Sequence, residues 1–251
     1  MWAVIPVKRL ELSKQRLAGV LSAPQRAALM TAMIEDVLAA LSKVQGLTGR
    51  LLVTRDEQLS ALAARYGAEV LCERETDTLS GVALPTANGH APLSRDSTSG
   101  PENGLCRALE EACVHLRERG ARGMLIVPGD VPLIDAADID TLLQSAHEGT
   151  VTIVPDHDHA GTNALLLVPP GSIGFRFGVD SCRRHQQAAH DAGLRARVVP
   201  LTSLALDVDA VEDLAQLRLR GAGTRAHQVL MNIAEGTGAF GARAVSTLAA
   251  P

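Results

Sequence analysis

The sequence predicts an α/β protein, a doubly wound and mostly parallel sheet with helices on both faces. Three observations carry that expectation. Short apolar runs alternate with amphipathic helical stretches over the first 72 residues, in the strand–helix–strand–helix–strand order of a right-handed winding. Hydrophobic residues make up 46% of the 251, yet the aromatics are only three Phe, one Tyr and one Trp. A core of Leu, Val, Ile and Ala suits buried parallel strands and the helices that cover them. Charged residues also gather just past strand ends, where open α/β sheets bind their ligands.

The elements follow in order. Met1–Val7 is a strand buried on both faces. Ala23–Leu41 is a helix with apolar residues at Leu29, Met33, Val37 and Leu41, Ser22 as N-cap and Pro24 in the first turn. Leu51–Val53 is a strand, Gln58–Tyr66 a helix ended by Gly67, and Ala68–Cys72 a third strand. Asp77–Asn103 is polar, rich in Gly, Pro and Ser, and without period, as functional or disordered loops are. Gly104–Arg119 is a helix, Met124–Val127 a strand and Ile134–Ala146 a helix. Val151–Pro155 and Ala164–Val168 are strands, and Cys182–Ala192 is a helix. Arg197–Pro200 and Leu204–Val208 are short strands, and Ala210–Arg220 is the last helix. Residues 1–220 thus form one domain. Residues 221–251, weakly patterned and rich in Gly and Ala, form a C-terminal tail that is mobile or packs on the partner of a homodimer.

A net charge of −4 supplies no basic field for nucleic acid, and so few aromatics supply no stacking platform. No apolar run approaches the roughly 18 residues of a membrane span. Cys72, Cys106, Cys113 and Cys182 form neither a CxxC pair nor a zinc spacing, as expected of reduced thiols in a cytoplasmic protein.

Two segments suggest polyphosphate chemistry. Ile5-Pro6-Val7-Lys8 through Lys14-Gln15-Arg16-Leu17 places three cations on a loop that follows a buried strand and opens a helix. Val127-Pro128-Gly129-Asp130-Val131-Pro132 places a carboxylate past another strand. Phosphate oxygens need cations, and the Mg²⁺ of a nucleoside triphosphate needs a carboxylate. A solvated basic loop and a turn-capping Asp130 are the simpler alternatives. Neither a GxxxxGK[ST] loop nor a GxGxxG is present. In Leu206-Asp207-Val208-Asp209, alternation puts Asp207 and Asp209 on one side. Either could share a metal with Asp130, or one of them could cap the helix that follows.

Asp156-His157-Asp158-His159 contains four ligand-type residues in a row, but adjacent residues rarely converge on one ion, and a polar turn is the better reading. Thr162 and Asn163 are small hydrogen-bonding groups just before a strand. Gly178 and Ser181 precede a helix, where backbone N–H groups and a hydroxyl can meet a phosphate or carboxylate; an ordinary Ser cap fits equally well.

Taken in order over about residues 1–220, these segments resemble the CofC/FbiD guanylyltransferases of coenzyme F(420) biosynthesis, within the MobA-like nucleotidyltransferases. The matching pieces are Ile5-Pro6-Val7-Lys8 with Lys14-Gln15-Arg16-Leu17-Ala18, Val127–Leu133, Gly161–Leu167, Phe177-Gly178 with Ser181 and His185, and Leu206–Asp209 with Glu212-Asp213-Leu214. The resemblance implies a Rossmann-like fold and transfer of GMP from GTP to a phosphorylated three-carbon acid, with pyrophosphate released. It implies that Pro6, Lys8, Lys14, Arg16 and Gly104 bind the nucleotide, with Lys8, Lys14, Arg16 and Asp130 catalytic. Asp130 and Asp209 would hold Mg²⁺, and Thr162, Asn163, Gly178 and Ser181 the acceptor acid. The product would pass to a downstream transferase of the F(420) pathway.

The chain departs from the family's pattern in three places. Cys106 stands in Gly104-Leu105-Cys106 where the family has Asn, the 77–103 loop is long, and Val179, Asp180 and Cys182 flank Ser181. Family members use 2-phospho-L-lactate, phosphoenolpyruvate or 3-phospho-D-glycerate. Cys182 in place of a bulkier Phe leans toward 3-phospho-D-glycerate. The competing readings are a relative loading a sugar phosphate or molybdenum cofactor, and a non-catalytic nucleotide-binding regulator. The glycine-rich opening of the molybdopterin enzymes is missing, and retention of both carboxylate sites argues for catalysis.

Overall fold

The computed structural model describes residues 1–72 and 101–236. β1 (Trp2–Val7) is buried at every position except the half-buried Pro6. Its alternate side chains enter opposite layers: Ala3, Ile5 and Val7 join one apolar cluster, Trp2 and Val4 the other. Two short 3-10 turns, Leu10–Leu12 and Gln15–Leu17, precede α1 (Ala23–Leu41). At the start of α1 the Gln25 side chain accepts the Ser22 N–H at 2.8 Å, and Pro24 occupies the first turn, where no N–H is needed. β2 (Gly49–Thr54), α2 (Leu59–Arg65) and β3 (Glu69–Cys72) complete the first half.

α3 (Pro101–Glu118), β4 (Met124–Ile126), α4 (Ala136–Gln144), β5 (Thr150–Pro155) and β6 (Thr162–Leu167) come next. α5 (Ser181–Asp191), β7 (Arg195–Val198), α6 (Val211–Arg220) and α7 (Arg225–Gly236) follow. The seven strands of the described residues form one sheet in the order β3-β2-β1-β4-β6-β5-β7. Among the described strands, only β6 runs against its neighbours. Residues of α1, α4, α6 and α7 enter the cluster on one face, and residues of α3 and α5 enter the cluster on the other.

The chain winds outward from β1 to β2 and β3, then crosses back to β4 on the other side of β1. At such a reversal open sheets have a crevice beyond the C-terminal ends of the two flanking strands, here β1 and β4, and bind ligands there. Because β6 is antiparallel, its first residue, Thr162, lies at this same edge.

Three expectations are corrected. Leu204–Val208 is not a strand: Leu204 ends a turn, Ala205 bends, and the segment is held by the Val208 N–H donating to Asp130 O at 3.0 Å. The basic loop does not run straight into a helix, since two 3-10 turns intervene before α1. Residues 225–236 are not loose tail. α7 packs on α1, burying Ala226 and Leu230, and its first N–H groups, from Arg225 and Ala226, each donate at 2.9 Å to the Asp36 carboxylate on α1. Thr224 Oγ1 accepts the His227 N–H at 3.0 Å. The local signals were present in Thr224 and the Ala226, Val229, Leu230, Ile233 spacing; the cap from Asp36 was not visible locally. Residues 77–100 of the predicted loop and 237–251 of the predicted tail lie outside the described residues. α3 begins at Pro101, three residues before the predicted start.

Candidate active site

Lys14 is the centre of the charged end. It adopts the left-handed region (φ 52°), which L residues rarely occupy, at the start of the second 3-10 turn. Its ammonium lies 2.5 Å from Asp130 Oδ2 and 3.6 Å from Asp209 Oδ1. Arg16 then reaches Asp209 Oδ2 at 2.9 Å. Three segments far apart in sequence thus meet at the β1–β4 crevice. Burial opposes the Lys14 charge, but the Asp130, Asp209 and Asp207 carboxylates outweigh it and hold the ammonium above its ordinary pKa. Asp207 is pushed up by burial and by the neighbouring Asp130.

Asp130 is positioned tightly. A Cβ on the preceding Gly129 would lie 3.0 Å from Val7 and 3.1 Å from Ile34, so that residue lets the loop close onto α1. Asp130 Oδ1 is buried and has no hydrogen-bond partner among the described residues. An unpartnered carboxylate oxygen beside a second carboxylate is a donor set suited to a hard divalent cation. Among the described residues no three His, Cys, Asp or Glu converge as a complete metal cage. Oxygens of a bound ligand would have to complete the shell.

The second end is built at the start of β6. Val154 pairs with Ala164 but Pro155 pairs with Thr162, so Asn163 is an extra residue in the register. This bulge turns Thr162 away from the layer that holds Ala164 and Leu166 and toward α5. There Thr162 Oγ1 lies 3.1 Å from His185 Nδ1, and the Ser181 hydroxyl donates to Thr162 Oγ1 at 3.1 Å. His185 Nε2 accepts the Arg176 N–H at 3.0 Å, and the ring meets Phe177 edge-on at 4.9 Å. His185 is wholly buried, and burial, then Arg184 and Arg176, lowers its pKa to about 4.

Several predicted site residues take different parts. Asn163 is buried, and its amide donates to Leu204 O at 2.8 Å and Asp207 Oδ1 at 3.1 Å; it braces the 204–209 segment. The first amides of α5 are already engaged: Ser181 N–H donates to Gly178 O at 3.1 Å and Cys182 N–H to Ala160 O at 3.0 Å. An anion at this helix start therefore meets the hydroxyls before those amides. Gly178, exposed and with φ 106°, makes the turn ahead of α5. Neither Asp207 nor Asp209 caps α6; Asp213 does, accepting the Asp209 and Ala210 N–H groups at 2.9 and 2.7 Å.

Lys8 is exposed just past β1, Pro6 pairs with Val53 inside it, and Gly104 is exposed in the first turns of α3. Asp156 uses its carboxylate to hold the amides of Ala160 and Gly161 at 3.0 and 2.8 Å, the polar turn the sequence suggested. The contact of His185 with the Thr162 hydroxyl, which in turn bonds the Ser181 hydroxyl, was missed. Its sequence signal was the four-residue spacing from Ser181, which puts both on one helix face.

The model of the family described as guanylyl transferase CofC like matches residues 1–87 and 96–237. A phosphoenolpyruvate guanylyltransferase of Conexibacter woesei is 39% identical over 219 residues, covering 86% of each chain. A 3-phospho-D-glycerate guanylyltransferase of Colwellia psychrerythraea is 33% identical, covering 86% of this chain and 90% of its own. A 2-phospho-L-lactate guanylyltransferase of Methanothermobacter thermautotrophicus is 32% identical, covering 92% and 90%. Among solved structures, a protein of Desulfovibrio desulfuricans G20, provisionally named a nucleotide-diphospho-sugar transferase, superposes with TM-score 0.67. It is 17% identical over 93% of this chain and 95% of its own, a likeness of fold. The sheet order, the crevice beyond β1 and β4, and the charges gathered there accord with the sequence match, and the chain belongs to the CofC-like guanylyl transferase family and is a nucleotidyltransferase.

Proposed function

We propose that this enzyme transfers GMP from GTP to the phosphate of a phosphorylated three-carbon acid, releasing pyrophosphate, in coenzyme F(420) biosynthesis. The observation that carries the reading is the meeting of Lys14, Arg16, Asp130 and Asp209 in one crevice. The family match and the names of the relatives supply the substrate classes.

In this reading Lys8, Lys14 and Arg16 bind triphosphate oxygens, Arg16 through its planar fork of donors. The acid's phosphate is already an anion, so no protein nucleophile is required. An acceptor oxygen forms a bond to the α-phosphorus as the α–β bridging oxygen departs with pyrophosphate. Positioning and charge neutralisation carry the rate. Asp130 and Asp209 would hold Mg²⁺, consistent with the unpartnered Asp130 Oδ1. When bound, that ion supplies positive charge to the triphosphate and its leaving group. Thr162 and Ser181 hold the acid, with Gly178 shaping the turn beside them and Asn163 acting behind them as a brace.

The preference for 3-phospho-D-glycerate argued from Cys182 has no exposed side chain behind it. That side chain is 3% exposed, belongs to the apolar cluster under α5, and takes a contact at 3.5 Å from Gln186. A side chain opening room for a ligand would keep surface at the pocket. The relatives named for phosphoenolpyruvate include the 39% identical protein, which favours that acid here. The cysteines form no disulfide among the described residues. Among the described residues no helix is long and apolar enough to cross a membrane.

The test is incubation of the protein with GTP, Mg²⁺ and phosphoenolpyruvate, 3-phospho-D-glycerate or 2-phospho-L-lactate, separately and in competition, with product masses read out. A guanylylated diphosphate with stoichiometric pyrophosphate is expected. A folded protein that releases no pyrophosphate with any of the three would refute the proposal.

A further inference from the structure

Thr162, Ser181 and His185 form a chain of hydrogen bonds whose direction can be worked out by counting protons. A backbone N–H can only donate, so the Arg176 amide, 3.0 Å from His185 Nε2, requires a lone pair there. A neutral ring then carries its proton on Nδ1, which donates to Thr162 Oγ1 at 3.1 Å. Thr162 and Ser181 share one further hydrogen bond at 3.1 Å. The two hydroxyls bring two protons, and the bond between them uses one. Whichever way that bond points, one O–H proton remains for a partner outside the triad.

The opposite tautomer would give the opposite result. With the proton on Nε2, Thr162 would donate to Nδ1 and Ser181 to Thr162. No hydroxyl proton would then remain, and the pair would offer only lone pairs, which repel an anion. The ring's protonation pattern thus decides whether this part of the site attracts a phosphate or carboxylate.

We propose that His185 is a positioning residue: held neutral and Nδ1-protonated by the Arg176 amide, it directs the Thr162–Ser181 hydroxyl pair to present a donor to the anionic acceptor acid. This deepens the reading in which Thr162 and Ser181 bind that acid, and rests on it. The surroundings keep the ring uncharged. It is wholly buried. The charged groups facing it, Arg184 on α5 and Arg176 on the preceding loop, are both cations and oppose a second proton. From β6 it meets the uncharged Thr162, and from the loop the Phe177 ring. With the nearby α5 amides of Ser181, Cys182 and Arg184 already engaged, the spare hydroxyl proton is a donor this helix start retains.

The experiment has two arms. In the intact protein labelled with ¹⁵N-histidine, the His185 ring should show a protonated Nδ1 and an unprotonated Nε2 at pH 7, unchanged down to pH 5. A ring protonated on Nε2, or cationic at pH 7, overturns the proposal whatever the activity. In the second arm, His185→Asn keeps an N–H where Nδ1 stood, whereas His185→Gln keeps an acceptor for the Arg176 amide but loses that N–H. His185→Gln should raise KM for the acid by about 3-fold or more, because the two hydroxyls keep their protons but lose the neutral N–H bond that holds the pair's direction. Its KM for GTP should be unchanged and its kcat within a few-fold. His185→Asn should recover most of the acid KM. Product formation with an unchanged acid KM in His185→Gln overturns this role while leaving the guanylyltransferase reading intact. A wild type that makes no product with any of the three acids overturns that reading first, and this role with it. Should His185→Gln fail to fold, the wild-type ring signals decide.

Discussion

At the β1–β4 crevice, four charged side chains neutralise one another while part of the cluster stays wet: the Arg16 side chain is 78% exposed and that of Asp209 41%. A strand away, at the start of β6, Thr162, Ser181 and His185 carry no charge and are sealed by α5 and Phe177. The difference follows from the cost of burying charge. On the proposed reading, groups that exchange partners when a polyphosphate arrives stay where water can replace the missing partner. Groups that must present one fixed donor can be buried, because every other hydrogen bond they make is satisfied internally. Substitutions at the first end should therefore register in ligand binding and turnover. Substitutions at the second should register in stability as well.

The largest expected effect is at Asp130. Asp130→Asn should preserve the fold while lowering turnover by about 10²-fold or more, since the triphosphate loses charge neutralisation. A folded variant with near-normal turnover would remove Asp130 from the metal assignment and break the contrast between the two ends. Unfolding of the variant is not expected, because Lys14 keeps Asp209 as a partner.

At the buried end, the contrast predicts a pH-dependent stability. An unfolded His185 takes up a proton below its ordinary pKa of 6.5, but the folded ring does so only near 4. Stability contributed by the neutral ring is thus full above 6.5, falls as pH drops from 6.5 to about 4, and is flat below. The difference amounts to about 3 kcal/mol. Denaturant midpoints of wild type and His185→Gln, compared from pH 7 to 4, isolate it from the opposing effect of Asp36 and Asp207, whose pKa values burial raises. Parallel curves for the two proteins would show that the ring does not titrate differently on folding.

Cys182→Phe sharpens the same contrast. If the thiol is core, the larger ring should overpack the layer under α5 and destabilise by about 1–3 kcal/mol, with the ranking of the three acids unchanged. A changed ranking without lost stability would return Cys182 to the acceptor pocket. The smallest effects belong to Arg16. Arg16→Ala should weaken GTP binding by about 10-fold yet change stability by less than about 1 kcal/mol, as exposed ion pairs do. Arg16→Lys should recover part of the GTP affinity, because a point charge replaces the planar fork incompletely. Unchanged GTP affinity in both variants would make this arm of the loop solvated surface.

The alternation of apolar strands and amphipathic helices was legible in the sequence because burial leaves a local period, 2 for strands and 3.6 for helices. Lys14 and Asp130 were legible because each follows such a strand at the edge where these sheets bind ligands. The direction of β6 was not, since a strand buried on both faces has the same pattern whichever way it runs. Nor was the Asn163 bulge, which decides which side Thr162 faces. The cap of α7 by Asp36, 190 residues away from Ala226, and the brace from Asn163 to Asp207, 44 residues apart, leave no trace in either local segment. The sequence by itself determined the α/β class and the chemistry available at the strand ends. Only the tertiary structure decided which of those groups share a crevice and which way a hydroxyl proton points, because hydrogen-bond partners are chosen in space after the chain has folded.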